Sequence, residues 1–175
     1  MDLNYLVTGG LGFIGSNFLI KLLKKKNIKV YSLDFEKYSS NLKLLKILKK
    51  KRNFFHKKID ICNFTKLKKY FYKAKPNILV NFAAESHVDN SIKFSKKFIN
   101  SNIIGTYNLL ECARLYLQNN NKKKFKFIQI STDEVYGDIE IKKKKKFNEN
   151  SQLNPSSPYS ASKASADLLV KSWTR

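Results

Sequence analysis

Arginine is nearly missing from this chain: only Arg52, Arg114 and Arg175 stand among 35 basic residues, and the rest are lysines. Acids are scarce as well, 13 in all, so the formal net charge is +22. Clustered basic residues neutralise phosphates and release counterions, so a nucleic-acid-associated module is one reading of the excess. The shortage of Arg weighs against it, because phosphate forks and base contacts favour a guanidinium over an ammonium. Asn, Ile, Phe and Tyr crowd the chain beside Lys and share its A/T-rich codons, which makes lysine drift on solvated faces the better account. Cys62 and Cys112 lie far apart and form no CxxC pair, so neither a disulfide framework nor a metal site is expected. With 6 Gly and 3 Pro the chain is neither collagen-like nor low-complexity. No apolar run approaches the roughly 20 residues that a membrane helix needs. Acidic Asp2, with no basic stretch leading into an apolar one, argues against a secretion signal. The expectation is a cytoplasmic chain with reduced thiols.

What the chain does have is enough to fold. Its 175 residues, 42% of them hydrophobic and 13% aromatic, allow one domain with a real core. Leu3 to Thr8 is a β-prone run that ends in Gly9-Gly10-Leu11-Gly12-Phe13-Ile14-Gly15, and Ser16 to Lys26 then carries apolar residues at helical spacing. The pattern repeats with a strand over Lys29 to Asp34, a helix over Leu42 to Lys51, a strand over Phe54 to Ile59 and a helix over Thr65 to Tyr72. A strand at Ile78 to Phe82, a long helical region ending near Leu117 and a fifth strand at Phe125 to Ile130 follow. Strands alternating with helices call for parallel βαβ units, so the fold class is α/β with a doubly wound parallel sheet. The five-lysine run Lys142 to Lys146 reads as a solvated loop before a final helix over Ser160 to Trp173.

The glycines are best read as GxxGxxG, at Gly9, Gly12 and Gly15, with Phe13 and Ile14 in the first helical turn. A strand, a glycine turn and a helix N-terminus together present backbone N–H groups and a positive dipole end to a pyrophosphate. Asp34 ends the second strand, where an acid accepts hydrogen bonds from the adenosine ribose and repels the 2′-phosphate of NADP, which selects NAD as cofactor. Asp60-Ile61 either meets the adenine edge or forms a turn.

Ser131-Thr132-Asp133-Glu134-Val135-Tyr136-Gly137 sets a hydroxyl and two adjacent carboxylates at the end of the fifth strand, the edge at which ligands bind in open α/β sheets. Tyr159 and Lys163 are spaced i,i+4 and share a face if one helix holds both. An ammonium and an oxidised nicotinamide beside a phenol stabilise the phenolate and make it a usable base.

The glycine loop with Tyr159-x-x-x-Lys163 resembles the extended short-chain dehydrogenase/reductase superfamily, whose domain is a Rossmann fold. Ala83-Ala84-Glu85-Ser86-His87-Val88-Asp89, the Thr132 to Gly137 run and Ser156-Ser157-Pro158-Tyr159-Ser160-Ala161-Ser162-Lys163 narrow this to a resemblance to the dTDP-glucose 4,6-dehydratase family. That resemblance implies an NAD-dependent lyase of nucleotide-sugar metabolism and deoxysugar biosynthesis. Tyr159 would take the sugar 4-hydroxyl proton, Lys163 would lower the tyrosine pKa and hold the nicotinamide ribose, and Thr132 would bond the 4-oxygen. Glu134 would remove the C5 proton and Asp133 protonate the departing 6-hydroxyl, which requires environments that separate their pKa values.

It further implies that Phe82, Ala83, Ala84 and Ser86 line the cofactor groove, with Ser86 also near the sugar. Ser101 stands where the family has a cofactor-contacting Thr. Phe35, Glu36 and Lys37, in a stretch that only partly follows the family pattern, continue the adenosine side. His87 is expected to be a structural hydrogen-bonding residue and His56 to lie at the surface. The family pairs subunits into homodimers. Its members are longer, so residues 1–175 read as an incomplete NAD-binding domain, C-terminally truncated, without the substrate domain. Such a piece would be an inactive or split enzyme; the alternative is a non-catalytic basic module that keeps the fold.

Overall fold

Alternation along the first strand decides which residues meet which helices. The computed structural model describes residues 3–120, 124–139 and 146–173. The chain divides into two compact units, Met1–Ala83 with Asn108–Ile130, and Ala84–Tyr107 with Ser131–Arg175.

The first unit is built on five strands, β1 (Leu3–Thr8), β2 (Ile28–Asp34), β3 (Phe54–Lys58), β4 (Ile78–Asn81) and β5 (Lys126–Gln129). Every pairing is parallel, in the order β3-β2-β1-β4-β5. Successive side chains of a strand point to opposite faces, so Leu6 and Leu33 go to one side and Val7 and Val30 to the other. Leu6, Leu33 and Leu79 pack with Leu67 and Phe71 of α3 (Phe64–Ala74) and with Leu109, Cys112 and Tyr116. Val7 and Val30 pack with Leu19 and Leu22 of α1 (Phe13–Leu22) and with Leu45 and Leu48 of α2 (Leu42–Leu48). Helices thus cover both faces, as the alternation of elements in the sequence implied.

Local chemistry sets the helix ends. Asn41 caps α2 and Asn63 caps α3, their side-chain oxygens accepting from the N–H of Leu44 at 2.9 Å and Lys66 at 3.0 Å. α1 opens at Phe13, three residues earlier than the apolar spacing indicated, and α2 stops at Leu48 rather than Lys51.

In the second unit the expected long helix is broken. α4 (Val88–Lys93) and α5 (Ser95–Phe98) are separated by Phe94, whose φ of −136° is not helical. A wide π turn over Ile99–Ile104 leads into α6 (Gly105–Asn120). A 3₁₀ turn spans Asp133–Tyr136, and α7 covers Pro158–Trp173. Pro158 at the first position of α7 has no N–H to leave unpaired. Ser157 and Ser160 close the helix start reciprocally, each hydroxyl accepting the other's backbone N–H, at 3.0 Å and 2.9 Å. Of the lysine run, Lys142 to Lys145 lie outside the described residues.

Candidate active site

In the first unit, Gly9 follows β1 with a φ of +62°, and a Cβ placed on it would lie 2.5 Å from the backbone N of Ala83. A Cβ on Gly15 would lie 2.3 Å from the carbonyl oxygen of Gly9. Both positions therefore exclude any side chain, because backbone packs directly against them. Gly12 caps α1 without a side chain, and the first N–H to bond back into the helix is that of Ser16, to the Gly12 carbonyl at 2.8 Å. The N–H groups before it are the ones a helix leaves without an intrahelical partner. Phe13 and Ile14 are exposed beside them.

Asp34 is buried at the end of β2, and three donors orient its carboxylate: Leu11 N–H at 3.1 Å, Glu36 N–H at 2.8 Å and the Ser40 hydroxyl at 2.9 Å. Phe35 is exposed, and the Lys37 ammonium sits over its ring. Asp60 accepts from the Cys62 N–H at 2.9 Å, while the Ile61 side chain is spent in the core, so this pair builds a turn. Thr8, Asn81 and Gln129 form a polar row across β1, β4 and β5. Thr8 donates to Asn81, and the Asn81 amide donates to Gln129 at 2.8 Å. Asn81 also accepts from the Ala83 N–H at 3.2 Å, which fixes the Phe82–Ala83 backbone.

His56 departs from expectation. Its side chain is 2% exposed, held between Ser32 and Glu36, and burial pushes its pKa below 6.5.

The second unit carries Ala84, Ser86, Ser101 and all five acid–base candidates. Tyr159 and Lys163 lie in the first turns of α7, 8% and 5% exposed, so the helix does hold both. Thr132 opens the 3₁₀ turn, its hydroxyl accepting from the Glu134 N–H at 3.4 Å and donating to Asp133 at 3.3 Å. Asp133 and Glu134 are exposed, whereas Val135 between them and Tyr136 is buried. Gly137 closes the turn at φ +83°, where a Cβ would strike the Asn154 carbonyl oxygen at 2.2 Å.

Burial raises the Tyr159 pKa above 10; the Thr132 hydrogen bond opposes this and the charges of Glu134 and Asp133 add to it. The phenol thus holds its proton more firmly here than the i,i+4 spacing alone implies. Burial lowers the Lys163 pKa, and Asp167 opposes that shift. Asp167, one turn further along α7, accepts a hydrogen bond from Ser131, and burial raises its own pKa. Its i,i+4 spacing from Lys163 was a readable signal that motif matching passed over. A cavity of about 570 Å³ is lined by Ser131, Thr132, Asp133, Tyr136, Asp167 and Lys171, among others.

Asn102, in the π turn, was also missed. It accepts from the Glu85 N–H at 2.8 Å, donates to the Glu85 carbonyl at 2.9 Å, and donates to Ser162 at 2.8 Å. It thereby ties the segment after β4 to α7. His87 stands at the start of α4, exposed and without a side-chain capping bond.

The sequence profile described as GDP-mannose 4,6 dehydratase matches residues 6–175. The chain belongs to that family. Relatives similar to it include the dTDP-glucose 4,6-dehydratase of Haemophilus influenzae, 42% identical over 176 residues, with 99% of this chain and 52% of the relative covered. Among solved structures, the Bacillus anthracis dTDP-glucose 4,6-dehydratase in complex with NAD matches with a TM-score of 0.82 and 39% identity, over 98% of this chain and 50% of that one. The UDP-Glc/GlcNAc 4-epimerase of Campylobacter jejuni matches with a TM-score of 0.85 and 28% identity, over 99% and 49%. The chain spans about half the length of the relatives it matches, and its five-stranded parallel sheet is Rossmann-like.

Proposed function

We propose that the chain supplies the cofactor-binding and acid–base residues of an NAD-dependent nucleotide-sugar 4,6-dehydratase, a cytoplasmic hydro-lyase that acts on dTDP-glucose. The observation that carries this is the constellation in the second unit: a buried Tyr159 one turn from a buried Lys163, with Thr132, Asp133 and Glu134 all acting on the Tyr159 pKa. Epimerases of the superfamily have the glycines and the Tyr/Lys pair, while two adjacent carboxylates suit an elimination.

The residues present fit a dinucleotide. Gly9 and Gly15 exclude a Cβ, the first turn of α1 offers N–H groups to a pyrophosphate, and Asp34 has an oriented carboxylate for the ribose. Phe35, Glu36, Lys37, Phe82 and Ala83 complete the adenosine side; Ala84, Ser86, Ser101, Tyr159 and Lys163 serve the nicotinamide side. When bound, NAD supplies a temporary hydride acceptor and a positive ring.

Tyr159 takes the proton of the sugar 4-hydroxyl as the 4-ketone forms, and Thr132 hydrogen-bonds that oxygen. Lys163 contributes a positive charge that favours the phenolate, against the burial that otherwise holds the phenol protonated. The ketone acidifies the C5 proton, which Glu134 removes. Asp133 protonates the 6-hydroxyl, and water leaves across C5–C6. Ser86 contacts the sugar.

Residues 1–175 form the NAD-binding domain, and the nucleotide of the sugar is recognised outside them. Exposed Ile92, Phe94, Ile99 and Tyr107 in the second unit support a homodimer. Among the described residues no helix is long and apolar enough to cross a membrane.

The test is a chimera in which these residues replace the matching stretch of the H. influenzae relative, assayed for 4-keto-6-deoxy sugar formation from dTDP-glucose. Turnover that Tyr159→Phe reduces by about 10²-fold or more supports the reading. A folded, NAD-loaded chimera without turnover contradicts it. The chain by itself is expected to give none.

A further inference from the structure

Glu36 has a left-handed backbone, φ +57°, a conformation that a residue with a side chain keeps only where its surroundings hold it. Two things hold it here. Its N–H donates to Asp34 Oδ1 at 2.8 Å. Its carboxylate meets His56 Nε2 at 3.2 Å and the Lys58 ammonium at 3.9 Å. His56 sits opposite Ser32 in the β2–β3 register and contacts the Ser32 hydroxyl through Nδ1 at 3.3 Å. Its ring stacks on Phe54 at 6.3 Å between centroids. Ser32 is fully buried, and the His56 side chain is 2% exposed against 21% for Glu36.

The hydrogen bonds form one path: Ser32 to His56, His56 to the Glu36 carboxylate, and the Glu36 backbone to Asp34. Carboxylate oxygens only accept, so Nε2 carries the ring proton and Nδ1 receives the Ser32 hydroxyl proton. The neutral ring satisfies both neighbours. Ser32 and Asp34 from β2, Glu36, Lys49 after α2, and Phe54 and Lys58 from β3 surround it.

We infer that His56 is a positioning residue for the adenosine half of the cofactor: through Glu36 it holds the segment after β2 so that Asp34 faces the ribose. This rests on the cofactor reading above. No local motif marks it, since His56 and Glu36 are 20 residues apart in sequence.

The test is titration of the 175-residue chain with NAD, AMP and nicotinamide mononucleotide, followed by NMR, for the parent, His56→Leu, His56→Gln and Glu36→Ala. His56→Leu and Glu36→Ala are expected to weaken NAD and AMP alike by about tenfold, the equivalent of one charge-assisted hydrogen bond, and to leave the mononucleotide unchanged. His56→Gln, whose amide can still donate to Glu36, is expected to recover most of the loss, which a purely structural role would not produce. If His56→Leu fails to fold, Glu36→Ala and His56→Gln carry the test. Unchanged AMP binding in the folded variants overturns the inference. A parent that binds neither NAD nor AMP overturns the cofactor reading, and the inference falls with it.

Discussion

The two units bury different things. In the first, the buried set is mostly aliphatic and aromatic, Leu6, Val7, Leu33 and Phe71 among them, packed on both faces of a sheet, with Thr8, Ser32, Asp34 and Asn81 as hydrogen-bonded polar exceptions. In the second, Tyr159, Lys163, Asn102, Ser160 and Ser162 are buried although polar, and the acids Asp133 and Glu134 are exposed. Apolar burial stabilises without direction, whereas each buried polar group must find a particular partner. Most of the burial in the first unit therefore stabilises without direction. The second holds ionisable side chains at some cost, visible in the raised Tyr159 and lowered Lys163 pKa values, both dominated by burial.

Substitutions should separate these roles. Phe71→Ala, in the centre of the first unit's core, is expected to cost about 3–5 kcal/mol in urea unfolding. Gly9→Ala introduces strain at φ +62° and a backbone clash; about 2–3 kcal/mol should be lost, together with NAD binding followed by calorimetry. Tyr159→Phe removes one hydroxyl and should cost less than about 1 kcal/mol of stability while abolishing turnover in the chimera. If it destabilised the chain as much as Phe71→Ala, the contrast between the units would fail.

Much of the first unit was legible in the sequence because its determinants are local. Period-two alternation exposes the strands, and the glycine spacing marks the turn whether or not the rest of the fold is known. The second unit was harder to read. The break at Phe94 and the wide turn over Ile99–Ile104 coincide with Asn102, whose side chain bonds Ser162, 60 residues away. Nothing near Asn102 in sequence announces that contact. The five acid–base candidates were found through motif resemblance, but the upward shift of the Tyr159 pKa follows from burial that spacing does not report. His56 was misread for the same reason: a histidine on a lysine-rich strand looks solvated until Ser32 and Glu36 are brought to it.

The smallest expected effect sharpens that last point. The folded-state pKa of His56 lies below its ordinary 6.5, so below that pH the unfolded chain takes up the proton more readily. Stability from the neutral ring is fully present above about pH 6.5 and is lost as the pH falls toward the folded pKa. Unfolding midpoints at about pH 7.5 and 5.5 should show an acid loss in the parent that shrinks in His56→Gln.

The central claim, that Asp133, Glu134 and Tyr159 perform an elimination, is tested most directly by running the chimera with dTDP-glucose in D₂O and reading the product by NMR. Removal of the C5 proton by Glu134 and its later replacement from solvent should leave one deuterium at C5, and Glu134→Gln should stop both product and label. Product lacking solvent deuterium at C5, or undiminished labelling in Glu134→Gln, would contradict the account.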